Sequence, residues 1–112
     1  MAKLSIRIDL PHDGRLGPGK VLVLERIAEH GSIAAAGRSL SMSYRRVWEL
    51  VSEVNAAFRE PLVIPRMGGQ KGGGATLTPL GHAIVQEYRL MERKARKAVE
   101  RQLRLFDNAS RQ

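Results

Sequence analysis

A mainly α-helical fold with one small β hairpin is predicted by three features of the 112-residue sequence. Residues 31–58 contain two segments in which apolar side chains recur at helical spacing, separated by a short serine-rich turn. Residues 62–78 contain two strand-like runs around a glycine-rich tip. Residues 78–106 contain neither glycine nor proline after Gly81, which indicates a long helix. Together these features predict a winged helix-turn-helix, with 62–78 as the wing, and a long C-terminal dimerisation helix.

The first ten residues alternate between polar and apolar side chains. The apolar positions are Leu4, Ile6, Ile8 and Leu10. A period of two predicts a half-buried strand, and the turn residues Pro-His-Asp-Gly at 11–14 would end it. A helix is then predicted from Pro18 or Gly19 to His30, with Gly31 as a left-handed C-cap. This helix is expected to support the two that follow.

Residues 31–43 predict a short helix and the tight turn after it. Ser32 follows a glycine and is a good N-cap. The apolar side chains that follow at helical spacing are Ile33, Ala36 and Leu40. The alanines at 34–36 let this helix approach a neighbour closely. In the turn, Met42 is expected to fill the gap between the helices, and Ser43 is expected to cap the next helix.

The second helix of the pair combines a strongly apolar face with an arginine-rich start. The apolar side chains on that face are Val47, Leu50, Val51, Val54 and Phe58. Its first turn holds Tyr44, Arg45 and Arg46. Two arginines at a helix N-terminus oppose the helix dipole, so helix stability alone does not account for them. A phosphate or a guanine edge as binding partner would explain them.

The composition also favours an anionic partner. The net charge is +8 at pH 7, and nucleic acid is the simplest partner for it, although a protein that is merely basic would show the same charge. The absence of cysteine excludes disulfides, zinc–thiolate sites and a cysteine nucleophile. Neither a signal peptide nor a membrane span is recognisable, so we expect a cytoplasmic protein located on the nucleoid, without a membrane partner.

The predicted wing combines short strands with a tip poor in side chains. A short apolar run at 62–64, with two β-branched residues, is expected to end at Pro65, and a second strand follows the glycines. The glycines do not match a phosphate-binding loop, because Lys71 is followed by more glycines and a strand. With Arg66, Gln70 and Lys71 on or beside it, the tip is expected to contact a DNA backbone or minor groove. A solvent loop without function is the alternative.

The C-terminal helix is predicted to run from its N-cap, Thr78, to about Phe106. An apolar seam with coiled-coil spacing runs along it and comprises Ile84, Tyr88, Met91, Ala95, Ala98, Gln102 and Leu105. We predict that the seam forms a homodimer interface, since so small a domain cannot cover such a stripe by itself. A helix lying along its own domain is the alternative. Residues 1–82 would form the DNA-binding domain, 78–106 the linker and dimerisation helix, and 107–112 a frayed tail.

Three blocks of the sequence resemble one known family. They are, in order, GSIAAAGRSLSMSYRRVW, FREPLV and GGGATLTPLG. These blocks are similar to the N-terminal winged-helix DNA-binding domain of ModE-type, molybdate-responsive regulators, which are distant relatives of LysR-type domains. The similarity extends from Leu16 to Arg89. One departure is Ser41, where similar sequences usually have a turn glycine, and a left-handed residue other than glycine costs about 1 kcal/mol.

The resemblance and the residues together predict a dimeric, sequence-specific transcriptional regulator without cofactor or metal. The helix beginning at Ser43 would lie in the major groove. The residues expected to contact double-stranded DNA are Ser43, Tyr44, Arg45, Arg46, Arg66, Gln70 and Lys71. Trp48 is interpreted as half core rather than as a residue that stacks on the DNA backbone. Full-length members of the family carry C-terminal molybdate-binding modules. Molybdate binding is therefore not expected from this chain alone.

Three other functions are alternatives to this prediction. A nucleoid-associated DNA binder with little sequence preference would share the basic surface and differ only in specificity. A protein-binding adaptor is disfavoured, because such an interface would carry an apolar patch in place of the arginines. An enzyme is the least favoured, because no spacing unites His12, His30 or His82 with carboxylates in a site.

Overall fold

Five α-helices and two small antiparallel sheets follow one another in the computed structural model, which describes residues 1–66 and 73–111. In chain order they are β1 (Ile8–Asp9), a 3-10 turn (Pro11–Asp13), β2 (Arg15–Leu16), α1 (Pro18–His30), α2 (Ile33–Leu40), α3 (Tyr44–Ala57), β3 (Val63–Arg66), β4 (Gly74–Leu77), α4 (Pro79–Ala98) and α5 (Glu100–Ala109). This order confirms the predicted mainly α fold with a small β wing. No helix among the described residues has the length and apolar character needed to cross a membrane.

The N-terminal strand is shorter than its alternating sequence predicts. Only Ile8 and Asp9 pair with β2, opposite Leu16 and Arg15. The alternation itself is real, because odd-numbered residues 1–9 are exposed and even-numbered residues 2–10 are partly buried. β2 is two residues long, so the preceding residues have no strand to pair with. They form an extended arm that packs its apolar side against the core.

The helix caps agree with the sequence in each predicted case. The Ser32 hydroxyl accepts a hydrogen bond from the Ala35 N–H at 3.0 Å, and the Ser43 hydroxyl accepts one from the Arg46 N–H at 3.1 Å. The Thr78 hydroxyl accepts the Gly81 N–H at 3.0 Å. These bonds satisfy backbone donors that the first turn of a helix leaves unpaired. The start of each of these three helices is therefore fixed by one local side chain.

The turn between α2 and α3 adopts a left-handed conformation at Ser41. Its φ and ψ are 55° and 39°, so the turn has the geometry that glycine usually adopts. The serine Cβ strain at this position lowers the stability of the folded chain, but the turn still forms. The Met42 N–H closes the turn by donating to Gly37 O at 2.8 Å. A Cβ atom at Gly37 would lie only 2.7 Å from Met42 O, so this position needs glycine for a steric reason.

Replacing Ser41 by glycine should stabilise the protein. We expect a gain of about 0.5–1 kcal/mol in the free energy of unfolding, because glycine adopts this φ without Cβ strain. Urea denaturation followed by circular dichroism would measure it. The matched change Ser52→Gly, in the middle of α3, should instead lower stability by about 0.5–1 kcal/mol. A loss of stability in both variants would contradict this account of the turn.

The core forms where α1, α2 and α3 meet the hairpin and the start of α4. Its buried residues are Leu16, Val21, Val23, Leu24, Ile27, Ala36, Val47, Leu50, Val51, Val54, Leu62, Val63, Ala75, Leu77 and Tyr88. Tyr88 was predicted to lie in the dimer seam, and the structure corrects this assignment. Its side chain is buried within its own chain, and its hydroxyl donates to Ile6 O at 2.7 Å. Burial also raises the pKa of the Tyr88 phenol.

An ion-pair cluster attaches α4 to α1. The Arg89 guanidinium donates to both carboxylate oxygens of Glu25, at 3.0 and 2.5 Å, and to Glu92 at 2.7 Å. The hydrogen bond to Glu25 raises the pKa of Arg89 further above its ordinary value. The bidentate pair with Glu25 joins α4 to α1, whereas Glu92 lies on α4 itself and holds the Arg89 side chain in place.

The hairpin continues past the proline that was expected to end its first strand. Pro65 lies opposite Ala75 in the register of β3 and β4. The Ala75 N–H points away from Pro65 and donates to Gly31 O at 2.9 Å. Pro65 therefore occupies a non-hydrogen-bonded pair on an edge strand, where its missing N–H costs nothing. The hydrogen bond from Ala75 N–H to Gly31 O also joins the wing to the α1–α2 junction.

The C-terminal helix is not continuous, which contradicts the prediction of one helix to Phe106. Val99 leaves the helical region, with φ −116° and ψ 16°, and its N–H is shared between Ala95 O and Arg96 O. Beyond the break, α5 brings the Asp107 carboxylate to the N-terminal arm, where it accepts a hydrogen bond from Ala2 N–H. Residues 107–109, predicted to fray, belong to α5. Neither glycine nor proline lies near Val99, so the local sequence gave no sign of the break.

Candidate nucleic-acid interface

The first turn of α3 presents its polar side chains to solvent. The side chain of Arg45 is 89% exposed and that of Arg46 is 54% exposed. Ser43 caps the helix just before them, and no acidic residue lies in the first turn. Successive helical residues point about 100° apart, so the two side chains leave the helix in different directions. The turn thus adds two cations to the positive end of the helix dipole.

Glu49, which follows the arginines by one turn, pairs with both of them, and the sequence analysis did not predict this pairing. Its Oε2 lies 3.6 Å from Arg45 Nε, and its Oε1 lies 3.4 Å from Arg46 Nη1. The sequence spacing could have predicted these ion pairs, because residues three and four apart on a helix are neighbours. Both cations of the first turn thus contact a single carboxylate.

A groove separates α3 from the wing, and aromatic side chains line it. Tyr44 and Trp48 are 58% and 53% exposed and lie one helical turn apart on this side of α3. The groove has a volume of about 320 Å³, and its wing side includes Ile64 and Pro65. Trp48, interpreted from the sequence as half core, is not among the core residues and lines the space between the helix and the wing.

Arg66 lies at the base of the wing, over two glycines. A Cβ atom at Gly31 would lie 3.1 Å from Arg66 Nη2, and one at Gly74 would lie 3.0 Å from Arg66 Nε. The absence of side chains at these glycines leaves room for the guanidinium next to the α1–α2 junction. Gln70 and Lys71, also predicted to contact DNA, lie outside the described residues.

Asn55 joins α3 to the start of the wing. Its Oδ1 accepts hydrogen bonds from Leu62 N–H at 2.9 Å and Val63 N–H at 3.1 Å. Its Nδ2 donates to Val63 O at 3.0 Å. One side chain near the end of α3 therefore satisfies three backbone groups where the chain enters β3. The sequence reasoning missed this residue, because its partners lie beyond the turn that ends the helix.

Replacing Asn55 by alanine should loosen the wing. Three partly buried backbone groups would lose their partner, so we expect a loss of about 2 kcal/mol in the free energy of unfolding. Thermal denaturation followed by circular dichroism would measure the loss. Asn108→Ala, which removes an exposed amide from α5, is the control and should leave the melting temperature nearly unchanged. Equal melting temperatures for the two variants would refute the bridging role of Asn55.

The residues predicted for dimerisation do not form one continuous seam. The break at Val99 separates the α4 part from Leu105 on α5. Ile84 is partly buried against the core. Met91 and Leu105 are exposed, and so is Phe106, which the seam had omitted. An apolar surface thus remains on both helices, in two parts.

The histidines do not combine with other side chains into a metal site. Among residues 1–66 and 73–111, no group of three or more His, Asp or Glu side chains is placed to hold a metal ion. His12 lies in the 3-10 turn and His30 at the end of α1. His82 is exposed in the first turn of α4.

The helix pair, the hairpin beside it and the cations at the start of α3 define a winged helix-turn-helix. The chain belongs to the bacterial regulatory helix-turn-helix family of the LysR type, whose family model matches residues 20–82. This membership confirms the class of protein that the three sequence blocks predicted.

Curated relatives confirm the resemblance to ModE-type regulators. The molybdenum-pterin-binding protein MopA of Rhodobacter capsulatus is 39% identical over 85 residues, which cover 76% of this chain and 32% of MopA. The molybdenum transport protein ModE of Azotobacter vinelandii is 34% identical over 101 residues, covering 90% of this chain and 37% of that protein. The DNA-binding transcriptional dual regulator ModE of Escherichia coli K12 is 34% identical over 99 residues, covering 88% and 38%. The chain thus spans about a third of the length of these relatives.

A solved structure shows the same fold. The DNA-binding domain of CbnR, crystallised with DNA, superposes with a TM-score of 0.59 over 75% of this chain and 91% of that one. The sequence identity is 23%, so this likeness concerns the fold alone.

Proposed function

We propose that this chain is a sequence-specific, double-stranded-DNA-binding transcriptional regulator of the ModE type. The observation that carries the proposal is the pair of exposed arginines, Arg45 and Arg46, at the start of the second helix of a helix-turn-helix. In this motif the N-terminal residues of the second helix reach base edges in the major groove. Membership of a bacterial regulatory family and a relative named as a DNA-binding regulator support it.

The side chains at the start of α3 have complementary tasks in this proposal. Arginine binds guanine O6 and N7 with two parallel hydrogen bonds, and it also binds phosphate. Because the side chains of Arg45 and Arg46 leave the helix in different directions, one reads a base while the other holds a phosphate once DNA is bound. Ser43 and Tyr44 contact the backbone with their hydroxyl groups. The net charge of +8 supplies the long-range attraction to DNA.

The wing adds contacts to the backbone or the minor groove. Arg66 lies where the hairpin leaves the α1–α2 junction, which supports its assignment to the DNA backbone. Gln70 and Lys71 complete the wing contacts in this proposal. Residues 1–82 form the DNA-binding domain, and α4 and α5 together form the linker and dimerisation segment.

Dimerisation is the second part of the proposal. The homodimer contact is made by Met91, Ala95 and Ala98 on α4 and by Leu105 on α5. Phe106 extends it. Tyr88 is no longer included, because its own chain buries it. Sedimentation equilibrium should give twice the mass of one chain, and Leu105→Glu should shift the equilibrium to monomer. A monomeric wild-type chain at micromolar concentration would refute this part.

Selection from a random duplex library at about 0.15 M salt tests the DNA-binding proposal, because non-specific phosphate attraction is weakened there. We expect enrichment of a palindrome whose half-sites lie about one or more helical turns apart. Retention of duplexes without enrichment would favour a low-specificity nucleoid binder. The absence of any retention would refute the proposal and favour a protein-binding adaptor.

A further inference from the structure

The carboxylate of Glu49 lies beside the arginines of the proposed DNA-binding surface, where a negative charge would weaken binding to phosphate. It is partly exposed on α3, one turn from the helix start, and contacts Arg45 and Arg46 at 3.6 and 3.4 Å. Exposed ion pairs of this kind add little to helix stability, about 0.3–0.5 kcal/mol each. Stability is thus a weak reason for an acid at this position.

We propose that Glu49 is a specificity-determining residue, which restrains both arginines in the unbound chain and reads an amino group in the major groove. This inference rests on the proposed function. A carboxylate that approaches DNA is repelled by the phosphates, so it lowers affinity for every sequence equally. That loss is recovered only where a base edge offers the carboxylate a donor.

Cytosine is the base that fits Glu49. Its major-groove edge presents the N4 amino donor without an adjacent acceptor, whereas adenine presents the N7 acceptor beside its amino group. Guanine and thymine present acceptors there, and these would repel a carboxylate. Arg45 or Arg46, released from Glu49 on binding, is then available for the guanine or the phosphate next to that cytosine.

The restraint is tested by removing the charge without changing the shape. Glu49→Gln should tighten binding to a fluorescently labelled duplex of random sequence by about three- to tenfold and steepen the dependence of affinity on salt, because two cations are released. The matched control is Glu53→Gln, one turn further along α3. It also removes one charge and releases a cation, Lys20, whose Nζ lies 3.2 Å from Glu53 Oε1. Its gain should be clearly smaller.

The base readout is tested with Glu49→Ala on the duplex selected by the wild-type chain. Exchanging each C·G pair in turn for T·A should weaken wild-type binding by about 5- to 100-fold at one position of each half-site. Glu49→Ala should lose this discrimination at that position and retain it elsewhere.

Two results would overturn the inference while leaving the proposed function intact. One is an equal gain in random-duplex affinity for Glu49→Gln and Glu53→Gln, since general electrostatics would then suffice. The other is unchanged C·G discrimination in Glu49→Ala. Failure of the wild-type chain to bind any duplex is distinguishable from both, because it removes the proposed function together with this inference.

Discussion

Replacing Arg45 and Arg46 together by alanine is expected to abolish DNA binding while the fold remains intact. Each arginine contact with a base or phosphate is worth about 1–3 kcal/mol, so we expect the affinity for the selected duplex to fall about 100-fold or more. Neither side chain belongs to the core, and both form exposed ion pairs with Glu49. Fluorescence anisotropy with a labelled duplex would measure the loss, and circular dichroism would verify the fold.

A charge-matched control separates recognition from general attraction. Arg96→Ala with Lys97→Ala removes two exposed cations from the last turn of α4. This variant loses the same net charge and should weaken binding only by the long-range electrostatic effect, far less than the α3 variant. If the Arg45/Arg46 variant binds like wild type with an unchanged circular dichroism spectrum, α3 is not the recognition helix.

The elements that the sequence predicted well are those governed by neighbouring residues. The caps at Ser32, Ser43 and Thr78 each depend on one hydroxyl and an N–H three residues later. The left-handed C-cap at Gly31 likewise depends on the freedom of a single glycine, here at φ 77°. The buried face of α3 follows from helical periodicity. In these places local preference and tertiary structure agree.

The features that the sequence did not reveal depend on residues distant along the chain. Tyr88 has the spacing of a seam residue. Its hydroxyl, however, donates a hydrogen bond to Ile6 O in the N-terminal arm, more than eighty residues earlier in the chain. The break at Val99 coincides with no glycine or proline, and Asp107 beyond it meets the same arm. Periodicity predicts which face of a helix is apolar. It does not predict which partner covers that face.

The residues of the candidate site likewise fall into those that local sequence could predict and those that it could not. The arginines of α3 could be identified because the helix dipole makes cations costly at a helix start. The hydrogen bonds of Asn55 could not be predicted, since all of its partners lie in residues 62–63, beyond the end of α3. Glu49 lay within reach of spacing arguments. The sequence nevertheless predicted no role for it, because an acid on a basic surface resembles an ordinary solvated ion pair.

Replacing Gly81 by alanine should have the largest effect on stability. A Cβ atom there would lie 2.3 Å from Leu62 O and 3.1 Å from the carbon of the same carbonyl. Leu62 is fully buried, and its carbonyl already accepts the Thr78 N–H at 2.9 Å, so it cannot retreat without losing that bond. Overpacking and the weakened hydrogen bond together should cost about 3 kcal/mol.

Gly19→Ala is the matched control for this prediction, because it makes the same chemical change in the first turn of another helix. Apart from its chain neighbours and the backbone of its own helix, no atom of the residues that the structure describes lies within 4 Å of the Cβ position at Gly19. Alanine should therefore stabilise the protein by about 0.5 kcal/mol through lower entropy of the unfolded chain. Thermal denaturation should therefore shift in opposite directions, with a fall of about 10 °C or more for Gly81→Ala. If both variants melt at the wild-type temperature, the first turn of α4 does not depend on close contact with Leu62, and the path of the wing into α4 must be held by the Thr78 cap alone.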